Sequence, residues 1–256
     1  MSFIDGRRGA GDPTSSARDS DGSADDSKTV VVVQSNYIPW KGYFDLIHDA
    51  DVFVFYDDVQ FTRQDWRTRN RIKTANGTHW LTIPVGADLK RLICEVPLPK
   101  PGWERRHWAS ISQAYARAPY FKQYRPLVES LYMEHGCSSL SAFNQHVTRT
   151  IAVEALGIDV EFRDSREFGA SGSKLERLLD LLKRVGASTY ISGPTAKDYV
   201  DPRAFEDAGI ALQFKSYDGY PEYPQVHPPF EHAVSVLDLL FNVGSDAPYF
   251  VWGWRE

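Results

Sequence analysis

Short β-branched and aromatic runs alternate with amphipathic segments along most of this chain, beginning near Thr29. The apolar runs at 29–34 and 51–56 are typical of strands buried on both faces, and a short helix is predicted between them over 43–49. A strand, a helix and a strand within about thirty residues form a βαβ unit, whose crossover is almost always right-handed. The first part of the body is therefore predicted to contain a parallel sheet.

The same alternation continues to the end of the chain. A weakly alternating strand is predicted over 78–84, before a middle segment that is mostly helical. The later elements are helices at 103–116, 120–135, 139–156, 175–185, 202–208 and 232–243, and strands at 158–162, 189–191 and 210–214. This order predicts an α/β fold with a mostly parallel, Rossmann-like sheet flanked by helices and a helical middle segment.

The first 28 residues differ sharply from this body. They contain six Ser, four Gly and six Asp, with Phe3 and Ile4 as the large apolar side chains after Met1. Such a segment buries too little surface to offset its loss of conformational entropy on ordering. We therefore expect residues 1–28 to be a disordered tail and residues 29–256 to form a single α/β domain.

Composition narrows the function classes. The net charge of −5 disfavours a generally basic nucleic-acid binder, and two distant cysteines, Cys94 and Cys137, exclude a disulfide framework or a cysteine-rich zinc site. The sequence shows no secretory h-region and no apolar run near the ~20 residues that span a bilayer. We expect a cytoplasmic protein without a membrane span.

Ligands of open parallel sheets bind beyond the carboxyl ends of the strands, which directs attention to the loop after each strand. The first loop offers four candidate substrate-binding residues, Gln34, Asn36, Tyr37 and Trp40. The alternative is a tight turn with the indole in the core. After the second strand, the carboxylate of Asp57 or Asp58 could act as a general base or hold a divalent cation, although both could equally be hydrogen-bonded in a turn. We list both as candidate catalytic residues.

An arginine-rich segment follows these carboxylates. Five of the eleven residues at 63–73 are cationic, and Arg offers a rigid fork for phosphate or carboxylate groups. An indole beside this cluster could stack on a base or a sugar ring. The candidate substrate-binding residues here are Trp66, Arg67, Arg69, Asn70 and Arg71. The alternative is a solvated helix face, and the cluster is too short for duplex DNA as the main partner.

Two later loops add candidates. Residues 192–199 follow a predicted strand, and their hydroxyls and lysine could hold an anionic group, although the spacing is not that of a Walker loop. The candidate substrate-binding residues are Ser192, Gly193, Thr195 and Tyr199, and the candidate catalytic residues are Lys197 and His227. Each of these loops could instead be an ordinary connection.

Absent motifs limit the chemistry further. The sequence contains no Gly-x-Gly-x-x-Gly, Gly-x-Ser-x-Gly or His-Glu-x-x-His pattern. No metal site is predicted, and the cofactor is unknown, with a nucleotide or an acyl or aminoacyl donor as the open possibilities.

Five motifs occur in order along the body from about 30 to 245, at residues 34–47, 56–60, 65–73, 190–199 and 235–244. Together they resemble the WbqC-like family. Ser35 stands where the family usually has proline, and Val243 where it often has cysteine. The resemblance implies a biosynthetic enzyme of surface-polysaccharide or specialised-metabolite pathways, acting on an activated sugar or a similar small anionic metabolite.

Three functions remain open from the sequence. The first is a group transferase that forms an amide on an amino sugar or a related amine, with an acyl thioester or an aminoacyl carrier such as aminoacyl-tRNA as donor. The second is a nucleotide-using enzyme, either a nucleotidylyltransferase or an ATP-dependent ligase, by fold-level analogy alone. The third is a non-catalytic binding module. In the first, the arginines would bind the anionic group, Asp57, Asp58 or His227 would take the amine proton, and Lys197 would stabilise developing charge.

Overall fold

A computed structural model describes residues 27–198 and 200–255 of the chain. The strands are β1 (Thr29–Val33), β2 (Val52–Phe55), β3 (Arg69–Thr74), β4 (Gly77–Thr82), β5 (Glu161–Asp164), β6 (Thr189–Ser192) and β7 (Ala211–Phe214). The helices are α1 (Lys41–His48), α2 (Trp103–Tyr115), α3 (Phe121–Met133), α4 (Leu140–Thr150), α5 (Lys174–Val185), α6 (Pro202–Asp207) and α7 (Val236–Val243). The predicted tail lies outside the described residues, apart from its last two positions.

Five strands form a parallel sheet in the order β5-β2-β1-β6-β7. The chain builds outward from β1 to β2 and β5, returns to the other side of β1, and continues through β6 to β7. The predicted α/β fold with a Rossmann-like sheet is confirmed. The direction of winding reverses between β1 and β6, which is the position where such sheets bind ligands.

Helices cover both faces of this sheet, because alternate side chains of each strand point to opposite sides. Val31 and Phe53 pack with α1, α7 and the helical middle segment of α2, α3 and α4. Val30 and Val52 pack with α5 and α6 on the other side. The four-residue run of β2 is buried throughout, as the unbroken apolar sequence predicts. Among the described helices, none has the length and apolar character needed to cross a membrane.

The second part of the arginine-rich segment, from Arg69 onward, is a strand rather than a helix. β3 pairs with β4 in an antiparallel hairpin, in which Arg71 lies opposite Trp80 and Thr74 lies opposite Gly77. The period is two: Asn70 and Ile72 are buried, whereas Arg71 is half-buried. Residues 76–77 are Asn-Gly, a strong hairpin signal, and Gly77 has a φ of +98°. The Asn-Gly pair is the sequence feature that could have predicted the hairpin.

Two other boundaries differ from expectation. The strand predicted at 158–162 is β5, and it occupies Glu161–Asp164. The helix predicted from 232 begins as α7 at Val236, because the Ser235 hydroxyl accepts a hydrogen bond from the amide of Leu237 and caps the helix there. Residues 232–235, which the pattern assigned to the first turn of this helix, therefore lie before it.

A buried ion cluster fixes α1 to the C-terminal part of the chain. The Asp45 carboxylate is fully buried and contacts the Nζ atom of Lys215 at 2.7 Å and both terminal nitrogens of Arg255, at 3.0 and 2.7 Å. The hydroxyl of Tyr220 also donates to it. Buried charges of this kind stabilise a fold only while every partner is present.

We expect Asp45→Asn to lower the free energy of unfolding by about 3 kcal/mol, because it removes the fully buried charge that Lys215 and Arg255 share and leaves Arg255 unpaired and the buried Lys215 with Asp49 alone. Arg125→Ala is the matched control, since Arg125 pairs with Glu129 on an exposed helix face and should cost about 0.5 kcal/mol or less. Urea denaturation measures both. Equal losses in the two variants would contradict the role assigned to the buried cluster.

Candidate functional site

The loop after β1, residues 34–40, is held by three neighbouring segments. The amide of Ser35 donates to Oδ1 of Asp57 at 2.8 Å, and the amide of Tyr37 donates to the Trp66 carbonyl at 2.8 Å. Nδ2 of Asn70 donates to the carbonyls of Tyr37 and Ile38, at 3.2 and 2.9 Å. The loop therefore has a fixed conformation at the position where the sheet reverses its winding.

The backbone of Ile38 is strained within this loop. Its φ is +35°, a region that β-branched residues rarely adopt and that costs on the order of 1–3 kcal/mol. The side chain is 1% exposed, and the Asn70 amide holds the adjoining carbonyl. Strained residues cluster at functional sites, and Ile38 lies at the edge where parallel sheets bind ligands.

A cavity of about 300 Å³ opens beside this loop. Two indoles dominate its walls, which are mostly apolar with two asparagines among the lining residues, a composition typical of ligand pockets. Its lining residues are Asn36, Pro39, Trp40, Trp66, Asn70 and Ala233. We call this cavity the indole pocket.

Close backbone packing positions one of its indoles. The Trp40 ring lies so near the Cα atom of Gly42 that an added Cβ would collide with it. Tyr217 contacts the same indole edge-on, with ring centroids 5.0 Å apart. The segment before α7 is bound to the loop and to β3, because the amide of Val236 donates to the Pro39 carbonyl and the amide of Ser235 donates to the Arg71 carbonyl, both at 2.8 Å. Glycine at position 42 is therefore a requirement of the pocket.

The predicted arginines lie in two different environments. Arg67 forms an ion pair with Asp65 and is partly buried. Arg69 and Arg71 stack on the Trp80 indole, with Cζ 4.4 and 5.6 Å from the ring centroid, and within the described chain neither guanidinium has an acidic partner. The Trp66 and Trp80 rings are 5.7 Å apart, so these guanidinium groups are one aromatic ring away from the indole pocket.

The two predicted aspartates lie on the β2 side of the same sheet edge, engaged with protein groups. Asp57 is fully buried and accepts hydrogen bonds from the amide of Ser35, the hydroxyl of Ser141 and, at 3.2 Å, the amide of Gln145. Asp58 binds Arg177 at 2.6 Å. Neither carboxylate lines the indole pocket.

The remaining candidates are distributed around the sheet edge. Tyr37 points into the helical core, where its hydroxyl contacts Nδ1 of His107 at 2.7 Å, and the backbone carbonyl of Gln34 accepts the Tyr43 hydroxyl at 3.0 Å. Gly193 lies near the Tyr217 hydroxyl. The others are placed as follows: Ser192 is buried, Thr195 and Lys197 are exposed, and Tyr199 lies outside the described residues.

His227 lines a different cavity. Its Nε2 atom is 2.8 Å from the Ala114 carbonyl, and it borders a polar groove of about 590 Å³ between the hairpin turn and α2. The structure therefore brings four of the predicted substrate-binding residues, Asn36, Trp40, Trp66 and Asn70, together in one pocket. It places the four predicted catalytic residues elsewhere.

Two residues that the sequence reasoning did not select lie next to pocket-lining positions. Lys41 follows Trp40 and is 2% exposed; its Nζ atom donates to the Pro221 carbonyl at 3.3 Å and faces the ring of Tyr220. His232 precedes Ala233 in the sequence, and its Nδ1 atom is buried without a hydrogen-bond partner among the described residues. The position of Lys41 directly after the loop at 34–40 is the sequence feature that could have identified it. No comparable feature marks His232.

Burial sets the protonation of both groups. Desolvation lowers the pKa of Lys41 from 10.5 to about 8, with the charge of Asp45 opposing the shift. Desolvation and the nearby Lys41 charge lower the pKa of His232, while Glu222 and Glu231 oppose that change. His232 is therefore a neutral imidazole at pH 7, able to accept a proton. Such perturbed groups beside a pocket are candidates for function.

The described residues also include one cluster with metal-ligand geometry, formed by Asp45, His48 and Asp49. Lys215 contacts both carboxylates, and Arg255 binds the first of them. Two cations already neutralise the two acids, so these side chains do not fit a metal ion.

We expect Lys41→Met to raise the free energy of unfolding at pH 7 by about 1–3 kcal/mol, because it removes a buried ammonium group. The folded chain loses the Lys41 proton near pH 8, whereas an unfolded lysine keeps it up to 10.5. The destabilisation caused by the buried ammonium group is therefore complete below pH 8, and it decreases as the pH rises from 8 to 10.5. Urea denaturation against pH checks this, with the exposed Lys122→Met as control. A stability difference that does not change with pH would contradict it.

Comparisons with known proteins place the chain in a family. The WbqC-like protein family matches residues 34–249. The chain is also 41% identical over 226 residues to the uncharacterized protein Rv1507c of Mycobacterium tuberculosis (strain ATCC 25618 / H37Rv), a match that covers 88% of this chain and 97% of that protein. No solved structure matches the chain. A match over this much of both chains shows common descent, and this protein is a member of the WbqC-like family.

Proposed function

We propose that this protein is a biosynthetic group transferase that binds a small, ring-shaped anionic substrate in the indole pocket and forms an amide on an amine. The observation that carries the proposal is the pocket itself, in which the indoles of Trp40 and Trp66 and the amide of Asn36 line a cavity of about 300 Å³. Indole faces bind the C–H faces of a sugar ring or the plane of a base, and amides select hydroxyl or carbonyl groups.

Charge supports an anionic substrate. Arg69 and Arg71 stand one ring away from the pocket, stacked on Trp80, whereas Asp65 is already paired with Arg67. Guanidinium forks bind phosphate and carboxylate strongly. A substrate with its ring in the pocket and its anionic group toward the hairpin would satisfy both surfaces.

The proposed reaction needs one base. The amine nitrogen forms a bond to the acyl carbon, the bond from that carbon to the donor's sulfur or oxygen breaks, and the electron pair leaves with the donor. The amine proton must pass to a neutral acceptor. We assign that role to His232, because its neighbour Ala233 lines the pocket and its lowered pKa keeps it unprotonated. The predicted bases Asp57 and Asp58 are engaged in protein hydrogen bonds instead.

A second function has one observation in its favour. The strand order β5-β2-β1-β6-β7 places the reversal of winding between β1 and β6, and many nucleotide-binding sheets share this layout. A nucleotidylyltransferase or an ATP-dependent ligase therefore remains the alternative, supported by fold alone.

Mass spectrometry tests these functions. The full chain is incubated with panels of amino sugars and of acyl or aminoacyl donors, with and without ATP. A modified amine formed without ATP supports the transferase. Release of AMP or diphosphate supports the alternative, and binding without turnover contradicts both.

The pocket is tested by Trp66→Leu, which should weaken substrate binding by about ten-fold or more, because a ring loses its stacking surface. Thermal stability should change little, since this side chain is 48% exposed. Tyr249→Leu is the matched control, because Tyr249 is an equally exposed aromatic residue that does not line the pocket. Calorimetric titration measures both, and equal affinities in the two variants would remove the pocket from the proposal.

His232→Asn should reduce turnover by about 100-fold or more while leaving substrate affinity within about two-fold, because removing a general base affects the chemical step rather than binding. The acidic limb of the pH–rate profile should disappear in the variant. An unchanged profile would show that another group takes the proton.

A further inference from the structure

The indole pocket is too small for the whole substrate if that substrate carries a nucleotide. At about 300 Å³, it lies at the lower end of the roughly 300–1,000 Å³ range of ligand pockets. It holds one ring-sized group. Any remaining part of the ligand must extend over the surface next to it.

That surface is the outward face of the hairpin. We define the hairpin face as the side chains of Arg69, Arg71 and Trp80, which lie on the same side of the two strands. Arg71 and Trp80 are directly opposite each other in the register, and the Trp80 indole is 41% exposed. Trp66 joins this face to the pocket, because it lines the pocket and its ring is 5.7 Å from Trp80.

The cations of the hairpin face lack counter-charges. Arg69 and Arg71 form no ion pair and no side-chain hydrogen bond with any residue of 27–198 or 200–255, and Nε of Arg71 is buried without a partner. A buried donor left unpaired costs free energy that a ligand oxygen would recover. Two guanidinium groups held against one ring offer parallel donors suited to two adjacent phosphates.

We infer that the hairpin face is a subsite for the nucleoside diphosphate part of the substrate, with the phosphates on Arg69 and Arg71, the base stacked against the indole of Trp80, and the attached ring in the pocket. This inference rests on the proposed function, because it assigns the ring in the pocket to the group that reacts.

A single-stranded RNA would use the same chemistry, but the charge argues for the smaller ligand. The arginine cluster of the hairpin is short, in a chain whose net charge is −5, and RNA-binding grooves need a cationic track along several nucleotides. One exposed indole with two guanidinium groups matches one base and its phosphates.

Calorimetry on the full chain tests the subsite with inorganic diphosphate, ADP, UDP and an RNA trinucleotide. We expect both nucleoside diphosphates to bind more tightly than inorganic diphosphate and than the trinucleotide. Arg69→Gln should weaken both ADP and inorganic diphosphate by about ten-fold, the loss for one charge-assisted bond. Arg105→Gln is the matched control, an exposed arginine of α2 without an ion pair in the described residues, and it should change neither affinity.

Trp80→Leu separates the base from the phosphates. It should weaken ADP and UDP by about ten-fold more than it weakens inorganic diphosphate, because all three ligands lose the ring that holds the guanidinium groups and the nucleotides alone also lose base stacking. Equal binding of ADP and inorganic diphosphate, or tighter binding of the trinucleotide, would overturn the inference. Nucleoside diphosphate binding without an amide product would leave the subsite standing and remove the proposed function. An amide product formed without nucleoside diphosphate binding would support the proposed function and overturn the subsite.

Discussion

The side-chain amide of Asn70 joins the loop after β1 to the hairpin at one edge of the parallel sheet. Its nitrogen donates to two successive carbonyls of the loop after β1, and its oxygen accepts the amide of Arg71 at 2.7 Å. Because Asn70 belongs to β3 and is 2% exposed, this contact fixes the hairpin against the parallel sheet. It also supports the strained backbone of Ile38. The indole pocket lies between the two parts that Asn70 joins.

The distribution of charge follows from how the acidic groups are used. The chain has an excess of acids, yet its buried carboxylates are satisfied internally. Asp45 binds two cations, and Asp238 accepts hydrogen bonds from the hydroxyls of Tyr115 and Tyr223, at 2.9 and 2.8 Å. Burial raises the pKa of Asp238, and these donors oppose the shift. Arg69 and Arg71, by contrast, have no acidic partner among the described residues of this acidic protein.

The candidate site was only partly visible in the sequence. The loop at 34–40 could be found because it follows the first buried strand of a parallel sheet, and Trp40 and Asn36 do line the pocket. The residues Asp57, Asp58, Lys197 and His227 are polar groups in similar loops, and sequence position alone does not separate a ligand-facing carboxylate from one that ties two elements together. Asp57 is the clearest example, because its partners Ser141 and Gln145 come from a helix more than eighty residues further along the chain.

The sequence by itself determined the class of the fold, because buried strands and amphipathic helices impose periods of two and 3.6 residues that are local properties of the chain. It also determined the cationic character of residues 63–73. The tertiary structure decided which of these groups meet. Only the packing of the hairpin against the β1 loop brings Trp66 to Trp40, and only the segment before α7 places Ala233 in the same wall. Contacts between residues far apart in the chain depend on the register of packed elements, and no local pattern encodes that register.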